Sequence, residues 1–270
     1  MDAVYNFFRA PGIKGKVLKS WSNCAFDPIS LLHLPDDPQF NCKRGNTVQA
    51  AVNGRCFVKR INLRPRWAAF RHYFKRSRPE LSLLAAEKLK KIGVETPQVL
   101  AVFRQYKNFM PRFDCLITED IGANVVFADK LPPTEQLAVE LCALLVNMHN
   151  HGIEHGDVNL RNLYRCKDTG KMGVIDLDGC RLSSRPASPA RRARELARLA
   201  SAFIKRRNDT AECDSLPENI ADFLVQHYKK LSGIDPVWRK QHCKTVICRS
   251  RLPLLTCSKL THYIFTAPFD

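Results

Sequence analysis

No apolar run in the chain approaches the about 18 residues that a membrane-spanning helix needs. Its most apolar helical stretch, Leu137 to Met148, is interrupted by Glu140. The opening residues, MDAVYNFFRAPGIKGK, lack the basic-then-apolar order of a signal peptide, so the expectation is an intracellular protein. C-x-x-C pairs are missing, and the 11 cysteines are odd in number and scattered. Cys243 and Cys248 beside His242 do not match a zinc spacing. These thiols therefore read as reduced, small apolar residues, with no structural metal expected. Internal repeats and low-complexity tracts are absent, and 45% hydrophobic content is ordinary for a globular chain of 270 residues. Carboxylates are scarce. Against 43 Lys and Arg stand 26 Asp and Glu, a net charge of +17. Such a surface attracts polyanions and argues against a cationic substrate. Aromatic residues scarcely interleave with the Arg and Lys runs, which argues against nucleic acid.

What is present divides into two halves. Residues 1–40 are mixed, with Pro28, Pro35 and Pro38 marking turns, and read as an extension of unclear role. Thr47 to Val52 alternates, Asn53-Gly54 suits a tight hairpin turn, and Arg55 to Ile61 resumes as a strand. Pro79 to Ile92 carries apolar residues at helical spacing and stops at Gly93. Val94 to Phe103 and Asp114 to Thr118 predict further strands. After a seam near Asp120 to Asp129, Thr134 caps a predicted helix with the stripe Leu137, Leu141, Leu144, Leu145 and Met148. A short strand pair follows, Asn162 to Cys166 and Met172 to Ile175, and helical patterns return beyond Pro189 and from Glu218 to Leu231. The expected fold class is α+β, a β-rich lobe at 41–121 followed by a mainly α-helical lobe at 122–270.

The chemistry concentrates in His155-Gly156-Asp157-Val158-Asn159-Leu160-Arg161-Asn162. An Asp two residues after a His, and an Asn five after that Asp, fits the catalytic loop of kinases. Phosphoryl transfer needs a carboxylate to orient and deprotonate the acceptor hydroxyl, and a nearby oxygen ligand for Mg²⁺. A turn rich in Asp and Asn gives the same letters. A second motif weakens that bland reading: Val174-Ile175-Asp176-Leu177-Asp178-Gly179 ends a strand in an acidic residue, after a hairpin that would return Asp176 to the side of Asn162. Asp there is the usual chelator of a Mg²⁺ that bridges ATP phosphates. Lys59, on the second strand of the first hairpin, alternates away from Val58 and would meet the phosphates of ATP.

The segments FVKR, SRP with its helix and GVETPQVLA, LITEDI, HGDVNLRN and VIDLDG together resemble the lipopolysaccharide core kinase family, which includes the Kdo and heptose kinases. The match runs from about Thr47 to Lys205, and Arg194 to Leu199 resembles the helix that follows the metal-binding Asp. The resemblance implies a bilobal protein-kinase-like fold, with ATP and Mg²⁺ as cofactors. It implies Lys59 on the α/β-phosphates, Glu119 to Ile121 as the adenine-facing hinge, Asp157 as catalytic base, and Asn162 and Asp176 as magnesium ligands. Asp178 is similar to the acidic residue of Kdo-kinase-type sequences; it either assists metal or substrate binding or pairs with Arg181. Two departures stand out. Lys43-Arg44-Gly45-Asn46 occupies the place of a G-x-G-x-x-G loop. The helix partner of Lys59 falls near Ser82, with Glu80 and Glu87 on either side, and stays unassigned.

The function implied is an ATP-dependent kinase of a Kdo or heptose hydroxyl in the lipopolysaccharide inner core. Its implied location is cytoplasmic, peripheral on the inner face of the bacterial inner membrane. The acceptor is then an anionic glycolipid on an acidic membrane surface, which suits the positive charge. Two alternatives stay open: the same fold with a small-molecule or protein hydroxyl as acceptor, and a non-catalytic glycolipid-binding module. Missing glycines favour the latter; intact Asp157, Asn162 and Asp176 argue against it. No signature of an oligomeric state is present.

Overall fold

The computed structural model describes residues 5–22, 45–51, 55–63, 76–108, 110–209, 216–217 and 219–237. The Asn53-Gly54 turn, the turns at Pro28, Pro35 and Pro38, the Lys43-Arg44 pair and the Cys243/Cys248 pair lie outside these residues. Two compact units divide the chain: Met1–Lys88 with Thr96–Ala123, and Leu89–Glu95 with Asn124–Asp270.

The first unit contains β1 (Tyr5–Ala10), β2 (Ile13–Leu18), a short α1 (Lys19–Ser22), β3 (Gly45–Ala51), β4 (Arg55–Asn62), most of α2 (Arg78–Lys91), β5 (Val99–Lys107) and β6 (Met110–Glu119). Its six strands form one antiparallel sheet in the order β1-β2-β5-β6-β4-β3. Residues Tyr5 to Leu18, inside the stretch read as an extension, are thus an edge hairpin of this sheet. Alternation sorts the side chains by face. Cys56 and Val58 of β4, Ala101 and Phe103 of β5, and Cys115 and Ile117 of β6 pack with Ile13, Val17 and Trp21 as one core. The Cys56 and Cys115 thiols behave there as small apolar groups, and burial pushes the Cys115 thiol well above its ordinary range. On the other face, registered neighbours Arg104 and Asp114 form a buried ion pair at 2.6 Å.

Helix α2 starts at a capping box. The Ser77 hydroxyl accepts from the Glu80 N–H at 3.2 Å, and the Glu80 carboxylate accepts from the Ser77 N–H at 2.7 Å. Glu80 is therefore engaged in a cap. Ser82 is buried and its hydroxyl donates to the Arg78 carbonyl, so neither residue stands out as the partner of Lys59.

The second unit contains β7 (Val125–Phe127), α3 (Glu135–Asn150), β8 (Ile153–Glu154), β9 (Leu163–Cys166), β10 (Met172–Val174), β11 (Arg181–Leu182), α4 (Pro189–Asp209) and α5 (Ile220–Ser232). Thr134 caps α3, accepting from the Leu137 N–H at 3.2 Å. The stripe from Leu137 to Met148 is buried as its spacing predicts. Helix α5 packs against both α3 and α4, with Leu196, Leu199, Phe203 and Leu224 fully buried. Two small sheets stand beside this helical core, β7-β9-β10 and β8-β11. They carry the loops of interest.

Candidate active site

The loop from β8 to β9 holds the first motif. Val158 and Leu160 are buried and anchor it, while Asp157 between Gly156 and Val158 is exposed. The Asn159 side chain accepts from the N–H groups of Arg161 (3.0 Å) and Asn162 (3.2 Å), which caps the 3-10 turn Leu160–Asn162. The Asn162 amide N–H₂ donates to the Asp157 carbonyl at 3.0 Å, and that of Asn159 to the same carbonyl at 3.2 Å. This bond engages the N–H₂ end of the Asn162 amide, whose oxygen is its acceptor end.

The β9–β10 hairpin brings the second motif alongside. Leu163 pairs with Val174, and one step further the Ile175 N–H donates to the Asn162 carbonyl at 2.9 Å. Asp176 is the next residue. The chain turns sharply there: Asp176 adopts φ 60°, ψ 60°, a left-handed conformation that costs an L-residue about 1–2 kcal/mol. Its side chain is exposed. A ring nitrogen of His155 hydrogen-bonds the Ile175 carbonyl at 2.9 Å. Gly156 sits at φ 84°, and a Cβ there would lie 2.2 Å from the Gly179 carbonyl oxygen, so only glycine fits this crossing. Pairing of Glu154 with Arg181 closes the arrangement. Asp157, Asn162 and Asp176 are thus held by two hydrogen-bonded segments of one unit.

A buried carboxylate supports the loop from behind. Glu195 of α4 accepts the backbone N–H groups of His155 (3.1 Å) and Gly156, and a ring nitrogen of His149 lies 3.0 Å away. Burial pushes this carboxyl up, but the His149 hydrogen bond and charge and the Gly156 N–H outweigh it, and its net pKa falls below the ordinary value. The other His149 nitrogen meets the Tyr228 hydroxyl at 2.8 Å. Arg192 donates to that hydroxyl (2.8 Å), to the Asn150 side chain (2.9 Å) and to the Ala187 carbonyl (2.7 Å). Glu195, Asn159 and His149 are supporting residues that motif reading did not assign. One sequence signal for Glu195 exists: it falls beside Arg192, Leu196, Leu199 and Phe203 on the buried stripe of α4, where a charge needs a partner.

The first unit holds the other candidates. Lys59 lies on β4 opposite Leu116 of β6, half-buried, on the face away from the fully buried Val58. Glu119 ends β6, its carboxylate accepting from the Gln98 N–H at 2.7 Å and its own N–H donating to the Gln98 carbonyl at 3.0 Å. Half-buried Ile121 follows, two residues before the unit boundary at Ala123.

The Asn162 amide and the Asp176 carboxylate, on adjacent hydrogen-bonded segments, offer the kind of oxygen donors that a nucleotide-bound Mg²⁺ takes, and the exposed Asp157 carboxylate lies on the same loop as Asn162. No three His, Cys, Asp or Glu side chains among the described residues form a metal cage of their own. Phosphate oxygens would complete the shell, which is how Mg²⁺ is ordinarily held. The residues fit.

A bilobal α+β fold with these two loops defines a protein-kinase-like phosphotransferase. The sequence matches the model of the lipopolysaccharide kinase (Kdo/WaaP) family over residues 66–224, more than half of the chain. The chain belongs to this family and is an ATP-dependent phosphotransferase with an alcohol group as acceptor. Among solved structures, WaaP in complex with acyl carrier protein is 16% identical, covering 90% of this chain and 95% of that one, with a TM-score of 0.57. A glucosamine kinase in complex with glucosamine, ADP and inorganic phosphate is 11% identical, covering 98% and 92%, with a TM-score of 0.48. The Rio2 kinase of Chaetomium thermophilum, as its ADP/Mg²⁺-phosphoaspartate complex, is 16% identical, covering 83% and 68%, with a TM-score of 0.42. Among curated proteins, comparison of sequences finds no match.

Proposed function

We propose that this protein transfers the γ-phosphoryl group of ATP to a Kdo or heptose hydroxyl of the lipopolysaccharide inner core, at the inner face of the membrane. One observation carries the reading: the Ile175–Asn162 backbone hydrogen bond, which keeps Asp176 beside the loop that holds Asp157 and Asn162. Asp157 accepts the proton of the acceptor hydroxyl as its oxygen bonds to the γ-phosphorus, while the bond from that phosphorus to the β,γ-bridging oxygen breaks and ADP leaves. Its exposure leaves room for a bulky acceptor. Asn162 and Asp176 would hold Mg²⁺, which neutralises charge on the phosphates when bound. Lys59 serves the α/β-phosphates, and the Glu119–Ile121 stretch serves the adenine. The net charge of +17 suits an anionic glycolipid on an acidic bilayer.

The test compares lipopolysaccharide phosphate content by mass spectrometry in cells with and without the protein. Loss of one inner-core phosphate, restored by the parent and not by Asp157→Ala, is the expected result. An unchanged lipid overturns the choice of acceptor.

A further inference from the structure

We propose that the β1–β2 hairpin is the surface by which this protein sits on an anionic phospholipid bilayer, an inference that rests on the acceptor being a glycolipid of such a bilayer. Register pairs Phe7 with Lys16 and Arg9 with Lys14, and the period of two brings these four side chains to one face of the sheet. The next strand, β5, continues that face with Val102 opposite Lys16 and Arg104 opposite Lys14. Phe8 points the other way. It packs edge-on against Phe103, with ring centroids 6.0 Å apart, at the margin of the core. The hairpin is thereby pinned through Phe8, while Phe7 is left 82% exposed, against 46% and 41% for Leu231 and Val237, the other large apolar residues exposed among those described.

Cations share that face with aromatic rings. The Lys16 ammonium lies 5.1 Å from the centroid of Phe7, and the Lys14 ammonium 5.5 Å from that of Tyr106. A cavity of about 360 Å³ opens on the same face, lined among others by Arg9, Lys14, Lys16, Arg104, Ser77 and Glu80. Glu80, the one carboxylate lining it, caps α2, and the lining Arg104 is paired with Asp114. The charge complement of this surface is a layer of phosphates. A single outward ring among lysines offers too little apolar area for the centre of a protein–protein interface. It suits insertion of one side chain at headgroup depth, with ammonium groups reaching lipid phosphates.

Vesicle sedimentation of the full chain, without nucleotide or acceptor, tests this. The parent should bind phosphatidylcholine vesicles containing phosphatidylglycerol, and not phosphatidylcholine alone. Lys14→Ala with Lys16→Ala should weaken binding roughly 25-fold, from about five-fold per cation. Phe7→Ser should weaken it about ten-fold, and Phe7→Trp should be quenched by brominated lipid. Lys229→Ala with Lys230→Ala, equal in charge but on α5, is the control and should stay within about two-fold. All these side chains reach solvent, so melting temperatures should match the parent. Equal weakening by both lysine pairs, or a Phe7→Trp ring unquenched because the true partner is an acidic protein or nucleic acid, would overturn the proposal. Phosphorylation of a delipidated core oligosaccharide, measured in parallel, should be unchanged in the hairpin variants. Its absence in the parent, with hairpin-dependent binding intact, would sink the acceptor and leave the docking surface standing.

Discussion

Replacing Glu195 is the sharpest probe of how the catalytic loop is held. Its carboxylate takes the N–H groups of His155 and Gly156 and faces a ring nitrogen of His149, with the residue only 2% exposed. Glu195→Gln keeps the shape but turns an N–H₂ toward donors and removes the charge. One lost hydrogen bond to a charged group corresponds to about 2 kcal/mol. For a chain of this size that lowers the melting temperature by about 4–8 °C. Glu195→Ala leaves three buried groups unsatisfied at about 1–3 kcal/mol each, a large share of a total stability of roughly 5–15 kcal/mol. Turnover should fall with the Gln variant, because the loop that carries Asp157 and Asn162 loosens. The pH dependence has a definite sign. A carboxyl whose folded pKa is depressed stabilises the fold fully above its unfolded value, near about 4.3, and that contribution is lost as pH falls through the folded value. Urea titrations below about pH 4.5 should therefore show a shallower loss of stability for Glu195→Gln than for the parent. A Gln variant that melts within about 1 °C of the parent, with the parent's acid slope, refutes this account of the support.

Three further outcomes follow from the same geometry. Asp176→Gly and Asp176→Ala should both abolish transfer, yet differential scanning calorimetry should find the Gly variant more stable by about 1 kcal/mol, because only it relieves the left-handed backbone. Gly156→Ala should cost about 3 kcal/mol or more and most of the activity, whereas Gly170→Ala, at φ 68° with nothing within 4 Å of the new Cβ, should cost about 1 kcal/mol and leave turnover intact. Arg104→Ala should lose about 3–5 kcal/mol in denaturant titrations by stranding the buried Asp114, and adding Asp114→Leu should recover a good part of it.

The features legible in the sequence are those whose causes are local. Thr134, Pro79 and Gly93 announce helix ends by chemistry that acts within one turn, and all three stand where α3 and α2 begin or stop. The β9–β10 hairpin is legible for a similar reason: two short apolar runs flank Lys167-Asp168-Thr169-Gly170, so Asn162 and Asp176 have to return to the same end. Residues Tyr5 to Leu18 are different. The partner of β2 is β5, 84–92 residues further on, and Gly15 interrupts the strand pattern because Val102 and Phe103 approach its backbone too closely for a side chain. Positive φ is likewise not set by composition alone. In Asp176-Leu177-Asp178-Gly179 the glycine is the obvious place for a reversal, yet the left-handed residue is Asp176.

Glu195 shows why support is harder to read than chemistry. Transfer needs particular side chains at fixed offsets within one loop, so Asp157 and Asn162 leave a spacing in the sequence. The groups that hold this loop are backbone N–H donors, which every residue but proline possesses, and any buried acceptor can satisfy them. Nothing at positions 155 or 156 specifies that the acceptor arrives from α4, 39 residues later. On α4 itself, Arg192 and Glu195 look like two more charges of a basic amphipathic helix. Both are buried, and Tyr228, Asn150, His149 and the loop backbone supply most of the partners that water otherwise would. The stripe on α4 marks these charges as needing partners, but the partners come from three other stretches of chain that a pattern read along α4 does not name.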